Sequence, residues 1–161
     1  MFIYSVRAST VKFFGFIALT LAVLLGVLFV GNDGAVLAAA EGEVNYGNIK
    51  TAEDRLAFIK GFGIEVDESS VEEIPFTMPE NFDRVILGYN ELQKKQGLDL
   101  SRYARKKVTR YVYRVTNYDH EGEVYASIFV YKSKIVACDL SSAEPEGFVI
   151  PLTLVDRDKL K

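Results

Sequence analysis

The sequence predicts an α+β protein: an N-terminal transmembrane helix, then two helices packed on an antiparallel β-meander of about four strands. Three observations carry this. Residues 13–30 form an apolar run without a single charge. Between residues 51 and 97, apolar side chains twice recur at helical spacing, and glycine closes each stretch. From residue 107 onward the pattern changes to alternation among β-branched and aromatic residues, the mark of strands.

As a helix, residues 13–30 reach about 27 Å at 1.5 Å per residue, close to the hydrocarbon thickness of a bilayer. Arg7 and Lys12 precede the run, and the first charges after it are Asp33, Glu41 and Glu43. The positive-inside rule therefore assigns residues 1–12 as a cytoplasmic basic stub and 13–31 as the transmembrane helix or signal-anchor. Two readings stand. The length favours an uncleaved anchor, since the apolar core of a secretory leader spans about 7–15 residues. Small residues ending at Ala40 resemble a cleavage site and allow secretion after cleavage there. On either reading the rest of the chain works outside the cytoplasmic membrane. Residues 32–50 read as a flexible spacer, rich in glycine and small residues, and 51–161 as one extracytoplasmic domain.

The domain opens with Thr51 and Asp54 at capping-box spacing. Ala52, Leu56, Ile59 and Phe62 then mark one apolar helix face, ended by Gly61 and Gly63. Residues 71–76 (VEEIPF) read as an edge strand, because Pro75 has no N–H to give a central ladder. Pro79 and Glu80 suit the first turn of a second helix, whose apolar face is Phe82, Val85, Ile86, Tyr89 and Leu92. Gly97 stops it, with Lys94 and Lys95 at its negative end. Strands follow from residue 107, over 123–132, over 135–140 after a tight turn at Ser133 and Lys134, and over 148–155 near Pro151. One face of the sheet is expected to pack on both helices, leaving the other partly wet.

Composition narrows the chemistry. The one cysteine, Cys138, excludes an internal disulfide and reads as a buried small hydrophobe. The one histidine, His120, lies in an expected turn. With one of each, the common zinc spacings cannot be met within the chain. No nucleophile elbow, P-loop or dinucleotide-binding glycine pattern occurs, and Asp119, Glu121 and Glu123 lack the register of a calcium loop. No cofactor is expected, and an enzymatic role is uncertain, leaning against.

Charge is the more useful clue. Setting aside Arg7, Lys12 and Asp33 from 19 basic and 22 acidic residues leaves 17 and 21, a net charge of −4 for the exported part. That balance argues against nucleic acid. A basic segment nevertheless stands out: Lys94, Lys95, Arg102, Tyr103, Arg105, Lys106, Lys107, Arg110 and Arg114 form the expected binding patch, interleaved with tyrosines. An acidic stretch precedes it, from Glu65 to Asp83. Either the two stretches face each other or simply solvate the surface, or the basic one meets anionic headgroups or an anionic envelope polymer.

The strings YNELQKKQGLDL (89–100) and YRVTNY (113–118), with Ser101 and Tyr103, resemble an uncharacterised bacterial family, DUF4830. The upstream IPFTMPENFD (74–83), Arg55, Phe58 and Gly63 are similar as well. The resemblance covers roughly residues 51–152, with Ala137, Cys138 and Asp139 standing where the family pattern has a glycine-rich turn. It implies a membrane-anchored protein of Gram-positive bacteria with one small domain and no catalytic residues to transfer. The expected function is a non-catalytic, membrane-tethered domain binding a protein or anionic envelope partner. The alternative is a small-ligand-binding protein or hydrolase using a helix–sheet cleft, with Asp99, Asp119 or Glu121 as acid or base.

Overall fold

The computed structural model describes residues 44–144 and 146–161. The expected transmembrane helix at 13–31 and most of the expected spacer lie outside these residues. Among the described residues no helix is long and apolar enough to cross a membrane.

The chain runs α1 (Ala52–Lys60), β1 (Val66–Thr77), α2 (Arg84–Lys94), a 3-10 turn (Leu100–Tyr103), β2 (Lys107–Val115), β3 (Val124–Tyr131), β4 (Lys134–Ser142) and β5 (Val149–Pro151). The five strands form one antiparallel sheet in sequential order. The α+β class holds, with five strands where about four were expected, and with one strand already placed between the helices.

Local chemistry explains the boundaries. Thr51 Oγ1 accepts the Asp54 N–H and Asp54 Oδ2 accepts the Thr51 N–H at 2.9 Å, the expected capping box. The second helix starts later than Pro79 suggested. Met78 is held extended by the 105–106 segment, donating to the Lys106 carbonyl and accepting the Arg105 N–H. The helix therefore begins only after Asp83, whose carboxylate accepts the N–H groups of Val85 and Ile86. Gly97, at φ +79°, ends the following turn in a conformation that favours glycine.

β1 is an edge strand, as Pro75 required, but it is longer than the expected 71–76 and interrupted. Its register with β2 slips between Asp67 and Glu72. Ser70 fills the gap, its hydroxyl accepting the Arg114 N–H at 2.8 Å and donating to the Asp67 carbonyl at 2.6 Å. Bulge, proline and carboxylates together guard this edge against pairing with another chain.

The two helices lie on opposite faces, which corrects the expectation of one covered and one wet face. The parity of β2 supplies the reason, because neighbours along a strand point to opposite sides. Tyr111 and Tyr113 face α1, where Arg55 donates to the Tyr113 hydroxyl at 3.0 Å and stacks on the Tyr111 ring. Val108, Arg110 and Val112 face α2, whose Tyr89 packs on Phe129, the cross-strand partner of Arg110. Both parities are apolar or aromatic enough to need cover. Two core clusters result, one around Ile59, Tyr113, Ile128 and Leu140, the other around Leu100, Val108, Phe129 and Val136.

β5 pairs with β4 only over Asp139, Leu140 and Ser141. The remaining edge of β4 is covered in another way. Gln93 Oε1 accepts the Cys138 N–H at 2.9 Å and Gln96 Nε2 donates to the Cys138 carbonyl at 2.7 Å. Farther along, Ile135 donates to the Tyr46 carbonyl, and Ile49 donates to the Ser133 carbonyl. Residues 46–49 are thus docked on the sheet, which makes the spacer's last part an element of the domain.

The β3–β4 turn falls at Lys132 and Ser133, one residue earlier than expected. Both have positive φ, 45° and 63°, as a two-residue mirror-image turn demands. Neither residue type favours that region. Replacing the pair by Asn-Gly (Lys132→Asn with Ser133→Gly) should raise stability by about 1 kcal/mol, read as a higher urea midpoint at unchanged slope.

Candidate functional site

The expected basic patch does not stay together in space. Lys94 pairs with Glu91, Arg102 with Asp99, Arg105 with Glu80 and Arg114 with Asp67. The acidic and basic stretches therefore meet at two places, Arg105–Glu80 and Arg114–Asp67. Arg110 is not a surface residue at all. Its even parity on β2 carries it under α2, where it is only 4% exposed and donates to Ser127 Oγ at 2.8 Å. Lys95 is exposed and makes no ion pair among the described residues. Lys106, Lys107 and Tyr103 remain, and they lie at one end of the sheet.

That end collects more charge than the linear run showed. Thr77 pairs with Lys107 across β1–β2, and continuing the β2–β3 register places Lys132 beside Lys107. Tyr131 pairs with Lys134, and Lys132 Nζ lies 5.5 Å from the Tyr131 ring centroid. Tyr103 meets Tyr131 edge-on at 5.6 Å, and the Lys106 N–H donates to the Tyr103 carbonyl, which pins the 103–106 segment over the strand ends. The Ile49–Ser133 hydrogen bond sets Lys50 beside the same turn. Five exposed lysines, Lys50, Lys106, Lys107, Lys132 and Lys134, thus converge from three parts of the chain. Among the described residues none of them makes an ion pair. Lys50, Lys132 and Lys134 were missed from sequence. The signal was the meander itself, because it sets the β3–β4 turn beside the start of β2.

A second polar cluster is buried between α2 and the sheet. Tyr89 donates its hydroxyl to Asp139 Oδ2 at 2.5 Å. Asp139 is 3% exposed and pairs in register with Ser127, the residue that receives Arg110. Burial pushes the Asp139 carboxyl above its ordinary range, while the Arg110 charge and the Tyr89 hydroxyl pull it back only in part. Burial and the neighbouring carboxylate push the Tyr89 hydroxyl well up, so it stays a donor. The signal for Asp139 was a carboxylate inside an otherwise apolar strand, IVACDL.

The carboxylates of the alternative reading have local duties instead. Asp99 Oδ1 accepts from Asn90 Nδ2 and from the Ser101 N–H and hydroxyl, and these bonds hold its pKa down at about 2. Asp119 pairs with Lys161, Glu121 is exposed, and His120 Nε2 lies 3.0 Å from Glu144 Oε2. Cys138 is fully buried, and burial raises its thiol well above the usual range, as befits the expected packing role. Among the described residues no group of three His, Cys, Asp or Glu is placed to hold a metal ion.

The raised Asp139 pKa has a definite sign. Its stabilising contribution is complete below the unfolded carboxylate pKa, about 3.9, and is lost as pH rises through the folded value. Relative to Asp139→Asn, the wild-type chain should therefore be most favoured in acid, and the difference should shrink toward neutrality. Urea unfolding of both proteins between acid and neutral pH reads this directly. A difference that grows with pH would mean that Arg110 instead holds the carboxylate ionised.

A family model described as a domain of unknown function, DUF4830, matches residues 58–140, which is 83 of 161 positions. The match runs from α1 into β4 and includes Lys106, Lys107, Lys132 and Lys134 as well as the Tyr89–Asp139 pair. Searches of curated proteins and of solved structures return no match. The match covers just over half of the chain, and the chain belongs to the DUF4830 family of domains of unknown function.

Proposed function

We propose that this chain is a non-catalytic extracytoplasmic domain, tethered to the membrane by residues 13–31, that binds an anionic partner at the cell envelope. The tether rests on the uncharged run at 13–30 with Arg7 and Lys12 before it. The binding reading rests on one observation: five exposed lysines converge at one end of the sheet, and among the described residues none of their ammonium groups makes a salt bridge, although Asp54 lies near Lys50 and accepts its backbone N–H. Like charges crowded in this way repel one another, and an anion placed across them relieves that repulsion. The two tyrosine rings give the patch a firm base, because Tyr103 and Tyr131 lock the loop to the strand end.

The test is a titration of the full-length protein, in neutral detergent micelles, with polyphosphate as a model polyanion. Each lysine near an anionic surface contributes on the order of 1 kcal/mol, so Lys106→Glu, Lys132→Glu and Lys134→Glu together should weaken binding by at least about a hundredfold. Lys94→Glu, already paired with Glu91, should change it little. Equal binding by the triple variant and the wild-type chain would remove the basic end from the account.

A further inference from the structure

We infer that the anionic partner of the basic end is the phospholipid headgroup layer of the membrane that carries the tether, so that the domain stands with this end against the bilayer. The inference rests on the tethered, anion-binding reading above and names its surface. Three independent features of the molecule point to it.

The first is where the tether is rooted. Residues 46–49 lie along the turn-proximal part of β4, with Tyr46 at Ile135 and Ile49 at Ser133. The tether therefore joins the domain beside the lysines, not at the far end of the sheet. Only residues 32–45 separate this docked segment from the expected transmembrane helix at 13–31, and 14 residues reach at most about 50 Å even fully extended. A patch confined so close to a bilayer meets its headgroups at high effective concentration.

The second is the charge distribution along the strands. At the opposite end of the sheet, segments 65–68, 119–123 and 144–146 carry eight carboxylates, and the C-terminal segment beside them nearly balances its own charge. Arg114 and His120 there are occupied by Asp67 and Glu144. β2 separates the two ends by about 26 Å, roughly three Debye lengths at physiological salt. Near an anionic leaflet, one end is attracted and the other is repelled beyond the screening distance. That difference orients the domain as well as holding it.

The third is the chemistry of the patch. Its lysines are carried on strand ends and a tight turn, not in a cleft, so they meet a flat surface more readily than they enclose a small anion. Between them sit the half-buried rings of Tyr103 and Tyr131. Tyrosine, with an apolar ring and a hydroxyl rim, suits the depth of the headgroup layer.

The test uses the full chain in nanodiscs and an environment-sensitive fluorophore on a single introduced cysteine. Cys138 is fully buried and does not compete for the label. The label is placed at the basic turn by Ser133→Cys, or at the acidic end by Glu121→Cys. In phosphatidylglycerol-rich discs the turn probe should blue-shift and be quenched several-fold more by nitroxide-labelled lipids than the probe at position 121. The contrast should vanish in pure phosphatidylcholine, at 1 M salt, where the Debye length falls to about 3 Å, and in the Lys106→Glu, Lys132→Glu, Lys134→Glu variant. Equal quenching at the two positions, or no difference between the lipids, would overturn the inference. If polyphosphate binding still depended on the three lysines, the anion-binding reading would stand and only the choice of surface would fall. Loss of both would remove the two readings together.

Discussion

The contact on which the α2 side of the fold depends is the hydrogen bond from Tyr89 to the buried carboxylate of Asp139. A carboxylate removed from water is costly unless other groups replace its hydration. Here the replacement comes from two places: the Tyr89 hydroxyl on the helix and the Arg110 charge on β2. Tyr89 also packs on Phe129, and Gln93, one helical turn later, takes the backbone of Cys138. The helix is therefore fixed in rotation and in height above the sheet by polar contacts, and the apolar contacts fill in around them.

That placement has consequences at the far end of the strands. The chain leaves α2 through the 3-10 turn, buries Leu100 beside Val108 and Phe129, and brings Tyr103 onto Tyr131. The loop that follows carries Lys106 and Lys107 to the strand ends, where the β3–β4 turn supplies Lys132 and Lys134. On the other face, α1 and residues 46–49 close the second core and bring Lys50 to the same turn. The basic end is thus assembled from both layers. Its lysines are close because the two cores hold the strand ends in register, and not because they are neighbours in the chain.

Much of this was legible in the sequence. The capping box of α1, the edge position announced by Pro75, the glycine stop at Gly97 and the alternating strands all follow from local chemistry that tertiary contacts did not override. What local chemistry could not supply was the side of the sheet each helix would choose. That depends on the path between β1 and β2, and on the hydrogen bonds that hold Met78 extended and delay α2 to Asp83. The candidate site was half legible for the same reason. Lys106 and Lys107 stood out as a run, whereas Lys50, Lys132 and Lys134 joined them only through pairing register. Arg110 looked like a surface cation because its neighbours are basic, yet it shares strand parity with Val108 and Val112. Asp139 was hidden by the opposite effect, a single acid in an apolar strand whose partner sits 50 residues earlier on a helix.

The most direct test of this account is a double-mutant cycle on Tyr89→Phe and Asp139→Ala, read by urea unfolding at neutral pH. If the pair ties α2 to the sheet, the two changes should couple by about 1–3 kcal/mol, the double variant losing much less than the sum of the singles. Additive losses, within about 0.5 kcal/mol, would show that helix and sheet are held by the apolar cluster and the Gln93 and Gln96 bonds to Cys138, with Asp139 a passive passenger.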